Sequence, residues 1–268
     1  MDNPRRNREI TINGWRIEPI GAWSAAPPGI VEDAARRVVH AIDGAANRPY
    51  HRSRHAVTYM TQIPDGPGRA QELYIKTFHP PRGIAALKQM FRGNRVDNVL
   101  RITEALHRAS FATALVLLKG AHDASGRTML TSSRAEGVAL PEFIARTQGW
   151  ARKRELLRQL GSEVARLHRT GLVHGDLTPY NVFVVQGEPP CFVFLDHDRT
   201  RPGFPTGRRY RQLRNLVQLG RFDLPGVSNA DRLRVFNAYA AGLDRASRRA
   251  MERRVARMLA RRRRRDAR

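Results

Sequence analysis

The residues best suited to chemistry lie between positions 174 and 199. The chain reads His174-Gly175-Asp176-Leu177-Thr178-Pro179-Tyr180-Asn181, and more acidic groups follow in Leu195-Asp196-His197-Asp198-Arg199. One aspartate, an asparagine five positions on and a second aspartate form a set of hard oxygen donors. Such a set suits phosphoryl transfer, which asks a protein for positioning and charge stabilisation more than for covalent help. One aspartate can orient an acceptor hydroxyl and take its proton. The asparagine and the other aspartate can hold Mg²⁺, which prefers oxygen ligands in octahedral geometry. Asp176 is therefore expected to be the base, with Asn181 and Asp196 as metal ligands.

These groups must be positioned by a helix and a hairpin. Leu156, Leu157, Leu160, Val164 and Leu167 recur at helical spacing, so a helix with a core-facing stripe ends just before the loop. Residues 182–185 and 192–195 read as strands on either side of the turn Gln186-Gly187-Glu188-Pro189-Pro190. That hairpin returns the chain and sets Asp176, Asn181 and Asp196 at one end of a small sheet. His168 and His174 have no second ligand at helical spacing. Both are expected to be structural, with His174 bracing the loop.

These motifs resemble those of protein-kinase-like enzymes. His174-Gly175-Asp176 with Asn181 looks like their catalytic loop, and Asp196 like the metal-binding aspartate that follows it. Thr178 departs from the lysine typical of Ser/Thr protein kinases. Ordinary protein kinases carry Asp-Phe-Gly where this chain has Asp196-His197-Asp198-Arg199. An acidic residue and then Arg at the third and fourth places resembles instead the lipopolysaccharide kinases of Gram-negative bacteria, the Kdo/WaaP family. The similarity covers about residues 48–245 and is strongest at 165–200. It implies an α+β fold: a two-lobed protein-kinase-like arrangement with a small antiparallel-sheet N-lobe and a mainly helical C-lobe. It also implies ATP and Mg²⁺ as cofactors. The implied substrate is an anionic glycolipid or sugar, phosphorylated on a hydroxyl of Kdo or heptose in the lipopolysaccharide inner core. Arg199 would either contact this acceptor or hold Asp198 in place.

The resemblance assigns residues upstream as well. Glu72-Leu73-Tyr74-Ile75-Lys76-Thr77-Phe78 looks like the strand whose lysine contacts the α and β phosphates of ATP. A compact ammonium suits that task. The helical acid that pairs with this lysine in kinases would be Glu104, with Asp97 seven residues earlier on nearly the same helix face. No Gly-x-Gly-x-x-Gly precedes Lys76. The equivalent turn lies near residues 50–55, where Arg52 and Ser53 could contact phosphates. Residues 133–140 would form the hinge behind the adenine.

Around these groups, residues 1–28 read as an irregular extension and 29–43 as a helix. Strands are expected over 50–63, 72–78, 114–119 and 128–132, with a turn at 65–68. One or two helices over 84–109, with Gly93 as the candidate separator, follow the second strand. From residue 208 the chain reads as helical and Arg-rich. The expected division is an extension with a helix over 1–47, a nucleotide-binding lobe over 48–136, a catalytic lobe over 137–250 and a basic tail over 251–268.

The chain of 268 residues carries a formal net charge of +24 and 41% hydrophobic residues. That is enough apolar material for a core and argues against a disordered chain. The charge implies anionic partners, although the excess of Arg over Lys also has a compositional source. Cys191 is the only cysteine, which excludes a disulfide framework and a cysteine-based zinc site. The charged start lacks the apolar region of a signal peptide, and no apolar run approaches the roughly 20 residues of a membrane span. The expected location is the cytoplasm, with peripheral contact at the cytoplasmic face of the inner membrane. Arg261 to Arg265 would be a solvated or frayed end, or would be drawn to anionic headgroups at about 1 kcal/mol per residue. Nucleic acid is disfavoured, because aromatic residues are few there and no binding module is recognisable. Three alternatives stand beside the leading one. They are a RIO-like atypical protein kinase, an aminoglycoside-type phosphotransferase, and a pseudokinase scaffold binding anionic partners.

Overall fold

The computed structural model describes residues 8–44, 48–53, 56–64, 69–80, 94–203 and 206–266. It divides into two compact units. One comprises Met1–Leu100 and Ala114–Ala135, the other Arg101–Thr113 and Glu136–Arg268.

The first unit is built on one antiparallel sheet. Its strands are β1 (Ile10–Ile12), β2 (Trp15–Pro19), β3 (His51–Arg52), β4 (Ala56–Pro64), β5 (Ala70–Phe78), β6 (Val116–His122) and β7 (Thr128–Ser133), in the spatial order β1-β2-β6-β7-β5-β4-β3. The irregular extension expected over residues 1–28 is corrected here, because β1 and β2 form a hairpin within it. Asn13 and Gly14 have φ of 47° and 78°, the left-handed pair that a two-residue hairpin turn requires. Trp15 and Ile17 then alternate into the core, and β2 pairs with β6 from Trp15↔His122 to Pro19↔Leu118.

Helix α1 (Pro28–Asp43) starts on a proline whose missing N–H costs nothing at that position. It buries Val31, Ala34, Ala35, Val38, Val39 and Ile42 against Trp15, Ile17, Leu73, Ile75, Leu118 and Met129. Full burial of a side chain such as Leu73 is worth about 1.5–3 kcal/mol. A second cluster gathers Ala56, Phe78 and Leu130 with Val96 and Val99 of α2 (Arg95–Arg108). The sheet is thus apolar on both faces. The expected turn at 65–68 and the first part of the expected helix, with Gly93, lie outside the described residues.

The second unit is mainly helical. Its helices are α3 (Leu140–Arg146), α4 (Trp150–Arg169), α5 (Arg208–Gly220), α6 (Asn229–Tyr239) and α7 (Arg245–Asp266). The expected stripe Leu156, Leu157, Leu160, Val164 and Leu167 of α4 is buried in one cluster with Leu213 and Leu216 of α5 and Phe236 of α6. Strands β8 (Val138–Ala139), β10 (Val182–Val185) and β11 (Cys191–Phe194) form a small sheet in the order β11-β10-β8. β9 (Leu172–Val173) pairs with β12 (Arg201–Pro202). The basic tail, read as solvated or frayed, is helical to Asp266 with Arg261, Arg264 and Arg265 exposed. Met251, Val255 and Met258 seat α7 on the core, and that packing overrides the mutual repulsion of its arginines.

Candidate active site

The loop between β9 and β10 carries Asp176, and each of its neighbours is tied down. The backbone N–H of Asp176 donates to Nδ1 of His174 at 3.1 Å, so the ring proton sits on Nε2. Nε2 in turn donates to the carbonyl of Leu195 at 2.8 Å. His174 therefore links Asp176 to the residue preceding Asp196. Burial pushes its pKa down and keeps the ring neutral. Gly175 between them is required by close approach, because a Cβ there would collide with the Cβ and carbonyl of Arg199.

Asn181 closes the loop on the other side. Its Nδ2 donates to the carbonyl of Asp176 at 2.8 Å, which leaves Oδ1 as an acceptor for a cation. Its own carbonyl accepts from Leu195 N–H at 2.9 Å and joins the loop to the end of the β10–β11 hairpin.

Asp196 follows directly, with φ 61° and ψ 65°. The left-handed region is uncommon for a residue with a side chain, and strain of this kind clusters at functional sites. The 3₁₀ turn His197–Arg199 comes next. His197 donates from Nε2 to the carbonyl of Phe194 at 2.9 Å and accepts from the Thr200 hydroxyl at 3.2 Å. Burial lowers its pKa to about 3, and its ring centroid lies 5.2 Å from that of His174. Two neutral, buried imidazoles thus brace the loop and the Asp196 turn.

Asp176 is half-buried, while Asp196 is exposed. Asn181 and Asp196 offer the hard oxygen donors that suit Mg²⁺, an ion that usually takes one or two carboxylates together with nucleotide phosphates. Among the described residues no cluster of three or more His, Cys, Asp or Glu is gathered for a metal. Asp198 is half-buried and Arg199 exposed, both in the 3₁₀ turn.

The other expected site residues are placed differently. Lys76 lies mid-sheet on β5, opposite Thr58 and Leu130, with its Nζ 5.8 Å from the Phe78 ring centroid. Arg52 is exposed on the edge strand β3. The Ser53 hydroxyl donates to the Ala56 carbonyl at 3.0 Å and accepts from its N–H at 3.1 Å, so it closes the turn before β4. Glu104 is exposed on α2 and pairs with Arg108 at 3.1 Å.

Two residues absent from the expectations reach the loop from α5. Gln218 donates to Oδ1 of Asp176 at 3.0 Å, and Asn215 donates to the carbonyl of His174. The available signal was a polar residue, Asn215, within the apolar run around Leu213, Leu216 and Val217.

A unit built on an antiparallel sheet, a helical unit and a His-Gly-Asp loop locked to a hairpin that ends in aspartate together define a protein-kinase-like protein. More narrowly, the chain belongs to the lipopolysaccharide kinase (Kdo/WaaP) family, whose family model matches residues 85–239. It is also similar to the "Probable serine/threonine-protein kinase BUD32 homolog" of Archaeoglobus fulgidus, at 29% identity over 115 residues, 42% of this chain and 52% of that protein. A shorter match, 42% identical over 41 residues, is to an EKC/KEOPS complex subunit of Schizosaccharomyces pombe, covering 15% of this chain and 17% of that protein. The chain thus spans about half the length of the first relative and about a sixth of the second. Among the described residues no helix is long and apolar enough to cross a membrane.

Proposed function

We propose that this chain is an ATP- and Mg²⁺-dependent kinase that phosphorylates a sugar hydroxyl, Kdo or heptose, in the lipopolysaccharide inner core. The observation that carries this reading is the hydrogen bond from Asn181 to the Asp176 carbonyl, which joins the base and the first metal ligand in one rigid loop. The family membership supports the class of substrate.

In this mechanism Asp176 accepts the proton of the acceptor hydroxyl as that oxygen bonds to the γ-phosphorus and the bond to the ADP oxygen breaks. Asn181 and Asp196 would hold Mg²⁺, which when bound would neutralise charge developing on the phosphates. His174 keeps Asp176 and Asp196 in register. Lys76 contacts the α and β phosphates, with Arg52 near them, and Glu104 belongs to the same nucleotide machinery. Arg199, beside Asp198, meets the anionic acceptor. Residues 48–136 serve the nucleotide and residues 137–250 the transfer. The net charge of +24 and the exposed arginines of α7 favour work at an anionic membrane surface on the cytoplasmic side.

One observation favours a second reading. The similarity to a protein kinase homologue covers 42% of the chain, which fits a serine/threonine protein kinase. The deciding experiment supplies labelled ATP and Mg²⁺ with inner-core oligosaccharide, an aminoglycoside or a protein mixture. Label in the oligosaccharide, absent with Asp176→Asn, is the expected result. Label in protein alone would replace the sugar-kinase reading with the protein-kinase one. No label anywhere, and no thermal stabilisation by MgATP, would leave a binding scaffold.

A further inference from the structure

We propose that Gln218 is a positioning residue for Asp176, locked in orientation by a one-directional hydrogen-bond chain that begins at Tyr239. This inference rests on the phosphotransferase reading of Asp176.

The chain crosses three helices. The Tyr239 hydroxyl at the end of α6 lies 2.9 Å from Nδ1 of His168 on α4. Nε2 of His168 lies 3.0 Å from Oδ1 of Asn215 on α5. Oδ1 can only accept, so Nε2 carries the proton, and Nδ1 must accept from Tyr239. Asn215 then donates through Nδ2 to the carbonyl of His174 and to Oε1 of Gln218, the latter at 3.1 Å. Gln218 accepts through Oε1, so Nε2 is its free end. Nε2 donates to Oδ1 of Asp176 at 3.0 Å and to the carbonyl of Gly175 at 3.3 Å.

The direction of each bond fixes the next. Turning the Asn215 amide over would set its NH₂ against the His168 N–H and its oxygen against the His174 carbonyl. Turning Gln218 over would set its oxygen against the Asp176 carboxylate. His168 and Asn215 are buried, at 3% and 2% exposure, so water cannot repair the first mismatch, and the second sets an amide oxygen against a carboxylate oxygen.

The consequence falls on the Asp176 carboxylate, whose terminal torsion is otherwise broad and two-fold. A donor held on Oδ1 selects one setting of that torsion. Among the described residues Oδ2 accepts no hydrogen bond, so Oδ2 is the oxygen presented to the acceptor hydroxyl. A misdirected base costs rate rather than nucleotide affinity.

The test replaces Gln218 in the full chain. Gln218→Met keeps length and loses the donor, and Gln218→Glu keeps shape but turns an oxygen toward Asp176. With labelled ATP and inner-core oligosaccharide, kcat is expected to fall about 10- to 100-fold in the Met variant and further in the Glu variant. KM for ATP should stay within about two-fold, since Gln218 has no role in nucleotide binding. Hydrogen exchange at residues 174–181 should quicken while the Tm stays close to that of the parent. A kcat near the parent value in both variants, with Asp176→Asn inactive, overturns the role of Gln218. If the parent chain transfers no phosphate to any acceptor, the proposed activity falls. Hydrogen exchange then decides the positioning claim by itself, and unchanged exchange at 174–181 in both variants overturns it.

Discussion

The loop around Asp176 and the edge strand around Arg52 hold their candidate site residues with opposite kinds of support. Around Asp176, His174, Asn181, Asn215 and Gln218 each contribute a hydrogen bond that fixes the backbone or the carboxylate, and the two nearest histidines are sealed from solvent. Around Arg52 and Ser53 there is an edge strand, an exposed guanidinium and a serine occupied by its own turn. The difference suits the two proposed tasks. Proton transfer and metal ligation need placement to a fraction of an ångström, whereas contacts to a phosphate chain tolerate long, cationic side chains that adapt to the ligand.

The sharpest way to break this contrast is Asp176→Asn. Phosphate transfer to the acceptor is expected to fall by roughly 10²–10⁴-fold with the Tm preserved. Turnover near the parent level would remove Asp176 from the chemistry. Lys76→Met should cost less, about 10- to 100-fold in kcat/KM, the worth of a charge-assisted hydrogen bond. A loss equal to that of Asp176→Asn would mean that β5 is as demanding as the loop.

Asn215→Leu probes the support itself. It strands the His174 carbonyl and the His168 N–H in a buried place, and should destabilise the fold by about 1–3 kcal/mol in a denaturant titration. Unchanged stability would show that water satisfies both groups.

Acid should loosen the same region. Burial lowers the pKa of His168 from 6.5 to about 4 and that of His197 to about 3. The unfolded chain takes up these protons near pH 6.5, so it binds more protons than the folded chain below that pH. Their contribution is complete above pH 6.5 and is lost as the pH falls toward 4. The Tm should already decline between pH 6.5 and about 5, above the range in which carboxylates titrate. A flat Tm across that window would mean the two rings are reached by water. The smallest effect is expected at the edge strand, where Arg52→Ala should change KM for ATP by less than about five-fold, as exposed ionic contacts are worth about 0–1 kcal/mol.

Much of this arrangement was legible without coordinates. Asp176, Asn181 and Asp196 could be grouped because a helix stripe, a short loop and a hairpin are all local features, and local spacing determines what converges on one sheet end. The sheet of the first unit was legible in outline from the strand-like run Glu72 to Phe78 and the turn material before it. The β1–β2 hairpin carried its own signal in Asn13-Gly14, but the nearby prolines and mixed polarity outweighed it in reading residues 1–28 as irregular.

Other features needed the tertiary structure. Gln218 lies 42 residues from Asp176 and Tyr239 lies 71 from His168, and nothing in the spacing of a helical segment says which buried carbonyl or carboxylate its amides will meet. The left-handed backbone at Asp196 and the collision that demands glycine at position 175 arise from packing the loop against residues 197–199. The arginine-rich end already read as helical in sequence, but only packing shows that Met251, Val255 and Met258 seat it on the core. The sequence by itself thus determined which groups are candidates for the chemistry, through residue types and local order. Tertiary packing decided how they are aimed, because a hydrogen bond's direction depends on partners brought from far along the chain.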